Sequence, residues 1–409
     1  MPLARRLTLG DAVAIGLGSM IGAGVFAVWA PAIGAAGSGL LIALAIAAVV
    51  AYGNATASAQ LAAAHPVAGG TYAYARAEIG PWWGFVAGWS FVIGKIASCA
   101  AMAMTFAAYA APAGWQVPVA AAAVAALAVV NCFGVTRTAL LTRILVVCSL
   151  LGIAVAVGFG LGAAPTAAPG PLPDATAYGV LQGAGLLFFA FAGYARIATM
   201  GEEVVDPSKT IPRAIVLALG GAVVVYTLVC VAVVLVLGGD AIRSMAPLVD
   251  LLDAAGASAW APVIRVAAAA ASLGALLALL TGIGRTTLAM ARESDVPRFL
   301  AKIDERHHVP QRAEIMIAVI VIAIVMFADL RGAIGFSSFG VLLYYFIANA
   351  AAFRQTGPAR RYPRALQVIG ALGCLVLVVT LPALASAIGA GVVLLGVGYR
   401  MLRLRLARV

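Results

Sequence analysis

The chain is poor in charge. Asp, Glu, Lys and Arg make up only 10% of its 409 residues, while 64% are hydrophobic. Soluble domains carry about 25% charged residues. So little polar surface cannot cover a core in water, and a soluble fold is excluded. Histidine is scarcer still: His65, His307 and His308 fall in or near polar connectors, and no HExxH pattern occurs. The five cysteines, Cys99, Cys132, Cys148, Cys230 and Cys374, all sit inside apolar runs and form no CxxC. They read as small packing residues, and neither a disulfide framework nor a zinc site is implied. No GxxxxGK[ST] loop is present, which argues against an ATP-driven pump. No Ser-His-Asp set converges in one region and no paired carboxylates lie at depth, so the pattern is not that of an intramembrane enzyme. No cofactor is expected.

What the chain does have is long apolar runs. They occur near 11–35, 39–61, 82–110, 116–133, 140–163, 180–200, 214–237, 262–288, 313–328, 333–353, 366–381 and 383–399. A helix needs about 20 apolar residues to cross the hydrocarbon core. Twelve spans follow, and each is a helix, because backbone in lipid must pair within itself. The alternation of a barrel strand is absent. Lys and Arg are distributed unequally. With the N-terminus inside, only Arg243, Arg265 and Arg331 of the 26 fall outside, and Lys95 and Arg196 fall within spans. That asymmetry predicts both termini in the cytoplasm of a bacterial inner membrane. The net charge of +11 is thereby an orientation signal toward the lipid bilayer, not a nucleic-acid patch. The stretch 163–178 reads as a Pro-rich outer connector, and 238–261 suits a short helix over the outer face. No soluble domain fits within the chain.

Two spans carry an interruption. The first reads Gly16-Leu17-Gly18-Ser19-Met20-Ile21-Gly22-Ala23-Gly24, four glycines in nine residues. Each costs a helix roughly 0.5–1 kcal/mol against Ala. The sixth reads Gly183-Ala184-Gly185-Leu186-Leu187-Phe188-Phe189-Ala190-Phe191-Ala192-Gly193-Tyr194. Paired breaks at matched positions of two halves point to the binding site of a secondary transporter. Half-helix N-termini offer N–H groups to a carboxylate, and unwound carbonyls suit an ammonium. Together they fit the head of an amino acid. The bland alternative is that the glycines only permit close helix packing.

These residues resemble a known family. Gly18-Ser19-Met20-Ile21-Gly22-Ala23-Gly24-Val25-Phe26 resembles the first-helix signature of amino acid–polyamine–organocation permeases. Pro66-Val67-Ala68-Gly69-Gly70-Thr71-Tyr72-Ala73-Tyr74 resembles their loop before the third span. Phe188 to Gly193, Glu202-Glu203, Asp206-Pro207 and Ile211 to Ile215 resemble the sixth span and its exit. Arg285, Ala289 to Glu293 and Pro297 resemble the end of the eighth. The resemblance covers essentially the whole chain. It implies a LeuT-type fold: helices 1–5 (residues 1–163) and 6–10 (164–353) as inverted repeats, with two more helices and a basic tail in 354–409. It implies that Ala23 and Gly24, with Ile21 and Gly22 beside them, supply amides to the substrate carboxylate. Carbonyls near Met20, Phe189 and Ala192 would receive the amino group, with Gly193 beside them. Phe189 would stand as an aromatic gate over the substrate.

Departures from the family pattern bear on coupling. A lysine of the fifth helix in the cationic branch falls at about Ser149 here. An acidic residue of the sixth is replaced by Ala195, followed by Arg196. A cationic substrate and lysine-based coupling are both weakened. Lys95 lies roughly 22 Å along its helix from Gly80, near mid-membrane, and should face the bundle interior. It can pair with substrate, titrate, or bond carbonyls statically. Arg196 and Glu202 suit an inner gate pair. The leading reading is a secondary amino-acid permease working by alternating access, proton-coupled or exchanging, as a monomer or weak homodimer. An exporter or exchanger of another small amine or organic acid stays open on the same fold. A channel or a two-bundle transporter fold would not call for breaks in spans one and six.

Overall fold

The computed structural model describes residues 7–65, 69–133, 139–162, 165–194, 197, 204–307 and 309–406. Described residues are helical throughout, joined by turns and two isolated bridges. The first span comprises α1 (Leu9–Ile21), α2 (Gly24–Ala27) and α3 (Trp29–Ala36), and α4 (Leu40–Ala64) is the second. A short connecting helix α5 (Thr71–Ile79) leads to α6 (Pro81–Ala110), α7 (Gln116–Cys132) and α8 (Ala139–Gly162). Next come α9 (Ala177–Phe191), α10 (Pro207–Val236), the short α11 (Pro247–Ala254) and α12 (Ala261–Arg292). The chain ends with α13 (Gln311–Phe327), α14 (Leu330–Arg354), α15 (Arg364–Thr380) and α16 (Ala383–Leu406). The described part of each apolar run is thus helical, apart from the break at Gly22, and the outer stretch 238–261 does hold a short helix.

Among the described residues, nine helical segments are long and apolar enough to cross a membrane, with Gln116–Cys132 and Arg364–Thr380 as shorter apolar helices. Large apolar side chains face outward all round the bundle, such as Val266, Val319, Val379 and Leu395. Lipid is the solvent that accepts such a surface. The protein is an all-α integral membrane protein.

The seventh helix starts seven residues before its apolar run, at Pro207. Proline suits the first helical position, where an N–H would go unused. Asp206 precedes it in left-handed geometry (φ 47°). Pro212 has no N–H for the carbonyl of Ser208, one turn back. The Arg361 guanidinium donates to that carbonyl instead. A proline inside this helix is tolerated because another part of the chain supplies the missing donor.

Two sets of helix contacts stand out, joined by α8 packing on α1 and α10 and by α14 packing on α4 and α9. One contains the first span, α4, α9 and α10; α3 and α4 both lie against α9, and α10 against α1 and α4. The other is built around α6, which packs on α12, α14 and α7, with α8 on α12 and α13 on α7. The α6–α14 contact is backbone on backbone: a Cβ on Gly340 would stand 2.7 Å from the Gly94 Cα. Ser98 and Ser337 share a 2.6 Å hydrogen bond at that crossing. Between α4 and the end of α14, buried Gln60 has every bond it can use. Its Nε2 donates to Ala352 O at 2.9 Å and Gln355 Oε1 at 3.0 Å, and its Oε1 accepts from the amides of Arg361 and Tyr362, both at 3.1 Å.

Candidate functional site

Helix α1 begins on a capping box, in which Thr8 and Asp11 bond each other's backbone. Buried Asp11 also pairs with Arg143 at the start of α8. The helix runs to Ile21, where Gly22 (φ −45°, ψ −144°) takes the chain out of helical geometry. Helical bonding then restarts. Phe26 N donates to Ala23 O at 3.1 Å, Val28 N to Gly24 O at 3.1 Å, and Ala32 N to Val28 O at 3.0 Å. α2 and α3 therefore act as one half-helix beyond the break. Its leading amides have no carbonyl one turn behind them. Ser19 Oγ bonds Ile15 O at 2.8 Å, a back-bond of the kind that bends helices.

The sixth span breaks in a different way. Helix α9 ends at Phe191 and tightens into a 3₁₀ turn over Ala192–Tyr194. The two breaks meet face to face. A Cβ on Gly24 would lie 2.7 Å from the Ala190 Cα, and one on Gly193 would lie 2.2 Å from Ser19 O and 2.5 Å from Met20 N. Further out, Gly179 and Gly183 let α9 lie against the backbone of α3: a Cβ on Gly179 would stand 2.3 Å from Ala35 O. The glycines thus bring backbone to backbone, and the same contact sets the two breaks side by side. Packing and site are one arrangement here.

Three side chains from neighbouring helices converge on the freed carbonyls. Tyr226 of α10 reaches both breaks, with Oη 2.6 Å from Met20 O and 3.0 Å from Ala190 O. Lys95, the middle residue of α6, places Nζ 3.4 Å from Ala192 O. Tyr345 of α14 places Oη 3.4 Å from the same oxygen. A fourth, Tyr109, donates to Phe26 O at 3.0 Å and accepts from Leu248 N of α11 at 3.4 Å, which ties the outer short helix to the half-helix past the first break. Aromatic rings line the crossing: Phe191 meets Tyr226 edge-on at 4.9 Å, Phe188 meets Tyr345 at 5.9 Å, and Tyr194 stacks on Tyr345 at 5.0 Å.

Every described residue singled out from the sequence as substrate-binding lies at or beside this crossing. Met20, Ile21, Ala23, Gly24, Phe189, Ala192 and Lys95 are buried. Gly22 packs toward Ala275 of α12. Arg196 and Glu202 lie outside the described residues. Tyr226 and Tyr345 were not legible as site residues. A tyrosine in an apolar run needs a partner for its hydroxyl, but nothing in the run says where that partner is.

A second polar cluster sits where the ends of α12 and α16 meet α5. After Arg292 the chain turns through Ser294 (φ 58°), and Asp295 N bonds back to Met290 O at 2.7 Å. Buried Asp295 then accepts from Tyr72 Oη at 2.9 Å, Arg76 Nη1 at 3.1 Å and the Arg400 guanidinium. Arg76 also pairs with Glu293 at 2.8 Å. Arg400 lies over the rings of Trp82 and Phe85, at 4.9 and 4.8 Å from their centroids. Burial and the Asp295 carboxylate push the Tyr72 hydroxyl well above the usual phenol range, so it stays a donor near neutral pH. Among the described residues no group of His, Cys, Asp and Glu could hold a metal.

Comparison with known proteins gives a consistent picture. A model of the amino acid permease family matches residues 11–398. The chain is 54% identical to an uncharacterized transporter of Mycobacterium tuberculosis, over 97% of this chain and 90% of that protein. It is 29% identical to the chloroplastic cationic amino acid transporter 6 of Arabidopsis thaliana, over 88% of this chain and 67% of the relative. It is 25% identical to the branched-chain amino acid permease of Bacillus subtilis, over 75% and 71% respectively.

Proposed function

Because the chain belongs to the amino acid permease family, we propose that it is a secondary transporter holding an amino acid at the crossing of the first and sixth spans. The carrying observation is the contact of two broken helices through glycine. Amides at the head of α2 and carbonyls of the 3₁₀ turn then lie within one small space. The α-carboxylate takes the amides of Ala23 and Gly24, with Ile21 and Gly22 shaping the turn. Half-helix N-termini carry positive partial charge, which suits an anion. The α-ammonium takes carbonyls of the other break, near Phe189 and Ala192, and shares Met20 O with Tyr226. Phe189 closes over the bound molecule.

Residues 1–163 and 164–353 serve as two inverted halves, with 354–409 appended. Alternating access then arises as the group of first span, α4, α9 and α10 rocks against the group built on α6. The basic helix ends on the face shared by Arg76, Arg143, Arg361 and Arg400 support a cytoplasmic placement of that face. The relatives' names mention cationic and branched-chain amino acids, so the class of head group is shared while the side chain is not.

Purified full-length protein in liposomes tests this reading. We expect uptake of at least one labelled amino acid, with trans-stimulation by the same amino acid inside. Repeating the assay with and without an imposed pH gradient separates proton-driven uptake from exchange. No uptake and no exchange across all amino acids would contradict the proposal.

A further inference from the structure

Lys95, a buried charge in the middle of α6, has no opposite charge among the described residues to meet it. Of the other buried ions, Asp11 is matched by Arg143, Asp295 by Arg76 and Arg400, and Glu314 has the Asn131 amide 3.5 Å away. Lys95 differs. It is 7% exposed, sits halfway along a 30-residue helix, and places its ammonium 3.4 Å from one backbone carbonyl. No carboxylate among the described residues lies within ion-pair distance. An ammonium at such depth is costly to insert and is normally paired or placed on a substrate path. The carbonyl it meets belongs to Ala192, at the break where the proposed site takes the substrate.

We infer that Lys95 is the counter-cation for an anionic substrate side chain, and that the substrate class is the acidic amino acids. This rests on the permease reading above and deepens it. The logic is one of charge. In that reading the α-carboxylate is already held by the amides at the head of α2. The α-ammonium is bound at the carbonyl end of the crossing, where Lys95 already stands. Two cations on neighbouring carbonyls repel unless an anion lies between them. The α-carboxylate is engaged elsewhere, so that anion is a second carboxylate, carried on the side chain. Tyr345 Oη, 3.4 Å from the same carbonyl, stands beside it as a further hydroxyl. A lysine or arginine side chain would bring a third cation to the same place and is excluded.

The experiment is equilibrium binding to the purified full chain, using aspartate and glutamate, their amides asparagine and glutamine, and lysine and arginine. Each amide matches its acid in size and lacks only the charge. The expected result is an acid-over-amide preference of at least about tenfold, the scale of one hydrogen bond to a charged group. Lys95→Gln should bring that ratio to about one while the amide still binds, and Lys95→Arg should keep the preference. Should Lys95→Gln fail to fold, the wild-type panel decides alone. Amides binding as well as acids, or cationic amino acids binding best, would overturn the inference while leaving the permease reading intact. An unchanged ratio in Lys95→Gln would do the same. If no amino acid in the panel binds, both readings fall together.

Discussion

Gly193→Ala should abolish uptake and lower the unfolding midpoint sharply. The added Cβ would stand 2.2 Å from Ser19 O and 2.3 Å from Ser19 C. Both are backbone atoms of the facing break, so no side chain can swing away. Forcing extra volume into a packed site typically costs about 1–3 kcal/mol. Here the upper end is expected, because relief requires the two broken spans to part. Parting them would also undo the contacts of Tyr226 with Met20 O and Ala190 O, which span both. The matched control is Gly391→Ala on α16. A Cβ there meets nothing within 4 Å, so uptake should be unchanged and stability unchanged or slightly raised, since Ala suits a helix better than Gly. Comparable behaviour of the two variants, by thermal unfolding in detergent and uptake in liposomes, would show that the breaks do not touch.

Asp295→Asn should be the most destabilising change away from the crossing. The substitution keeps the volume and removes the charge that Arg400 and Arg76 share. Removing one partner of a buried ion pair costs about 3–5 kcal/mol, since the other is left buried and unmatched. Arg76 is partly exposed and keeps Glu293. Among the described residues Arg400 keeps the faces of Trp82 and Phe85, whose cation–π attraction is worth about 0.5–2 kcal/mol. Replacing both, Asp295→Asn with Arg400→Leu, should restore most of the loss, because no buried charge then remains. A double-mutant cycle on thermal unfolding reads this coupling directly. Additive losses would mean that Asp295 and Arg400 act independently.

The spans were legible because lipid imposes one simple demand, an apolar helix of sufficient length; most runs met it, while Gln116–Cys132, Gln311–Phe327 and Arg364–Thr380 are helices of only 17 residues. Their ends were less legible. Helix α10 starts at Pro207, well outside its apolar run, because Lys209 and Arg213 lower the hydropathy of turns that still complete the helix. The rescue of the Ser208 carbonyl by Arg361 could not be foreseen, as it joins residues 153 positions apart. The breaks were legible from glycines at matched positions of two spans, since one glycine-rich span alone would be explained as well by close helix packing. Their mutual contact was not, because composition does not say which backbone faces which. Lys95 announced itself as a charge at depth, yet the Ala192 carbonyl as its neighbour needed the fold. Tyr226 and Tyr345 stayed hidden for the same reason: each lies on a helix distant in sequence from the carbonyl it meets.

The most direct measurement compares the affinity of the best-transported amino acid with those of two analogues. One is its α-methyl ester, which removes the negative head charge. The other is the deaminated acid, which removes the positive one. If the amides of the first break hold the carboxylate and the carbonyls of the sixth hold the ammonium, each analogue loses at least about tenfold in affinity, as expected for a lost charge-assisted hydrogen bond. Equal affinity for the amino acid and either analogue would mean that the two broken helices do not grip its head.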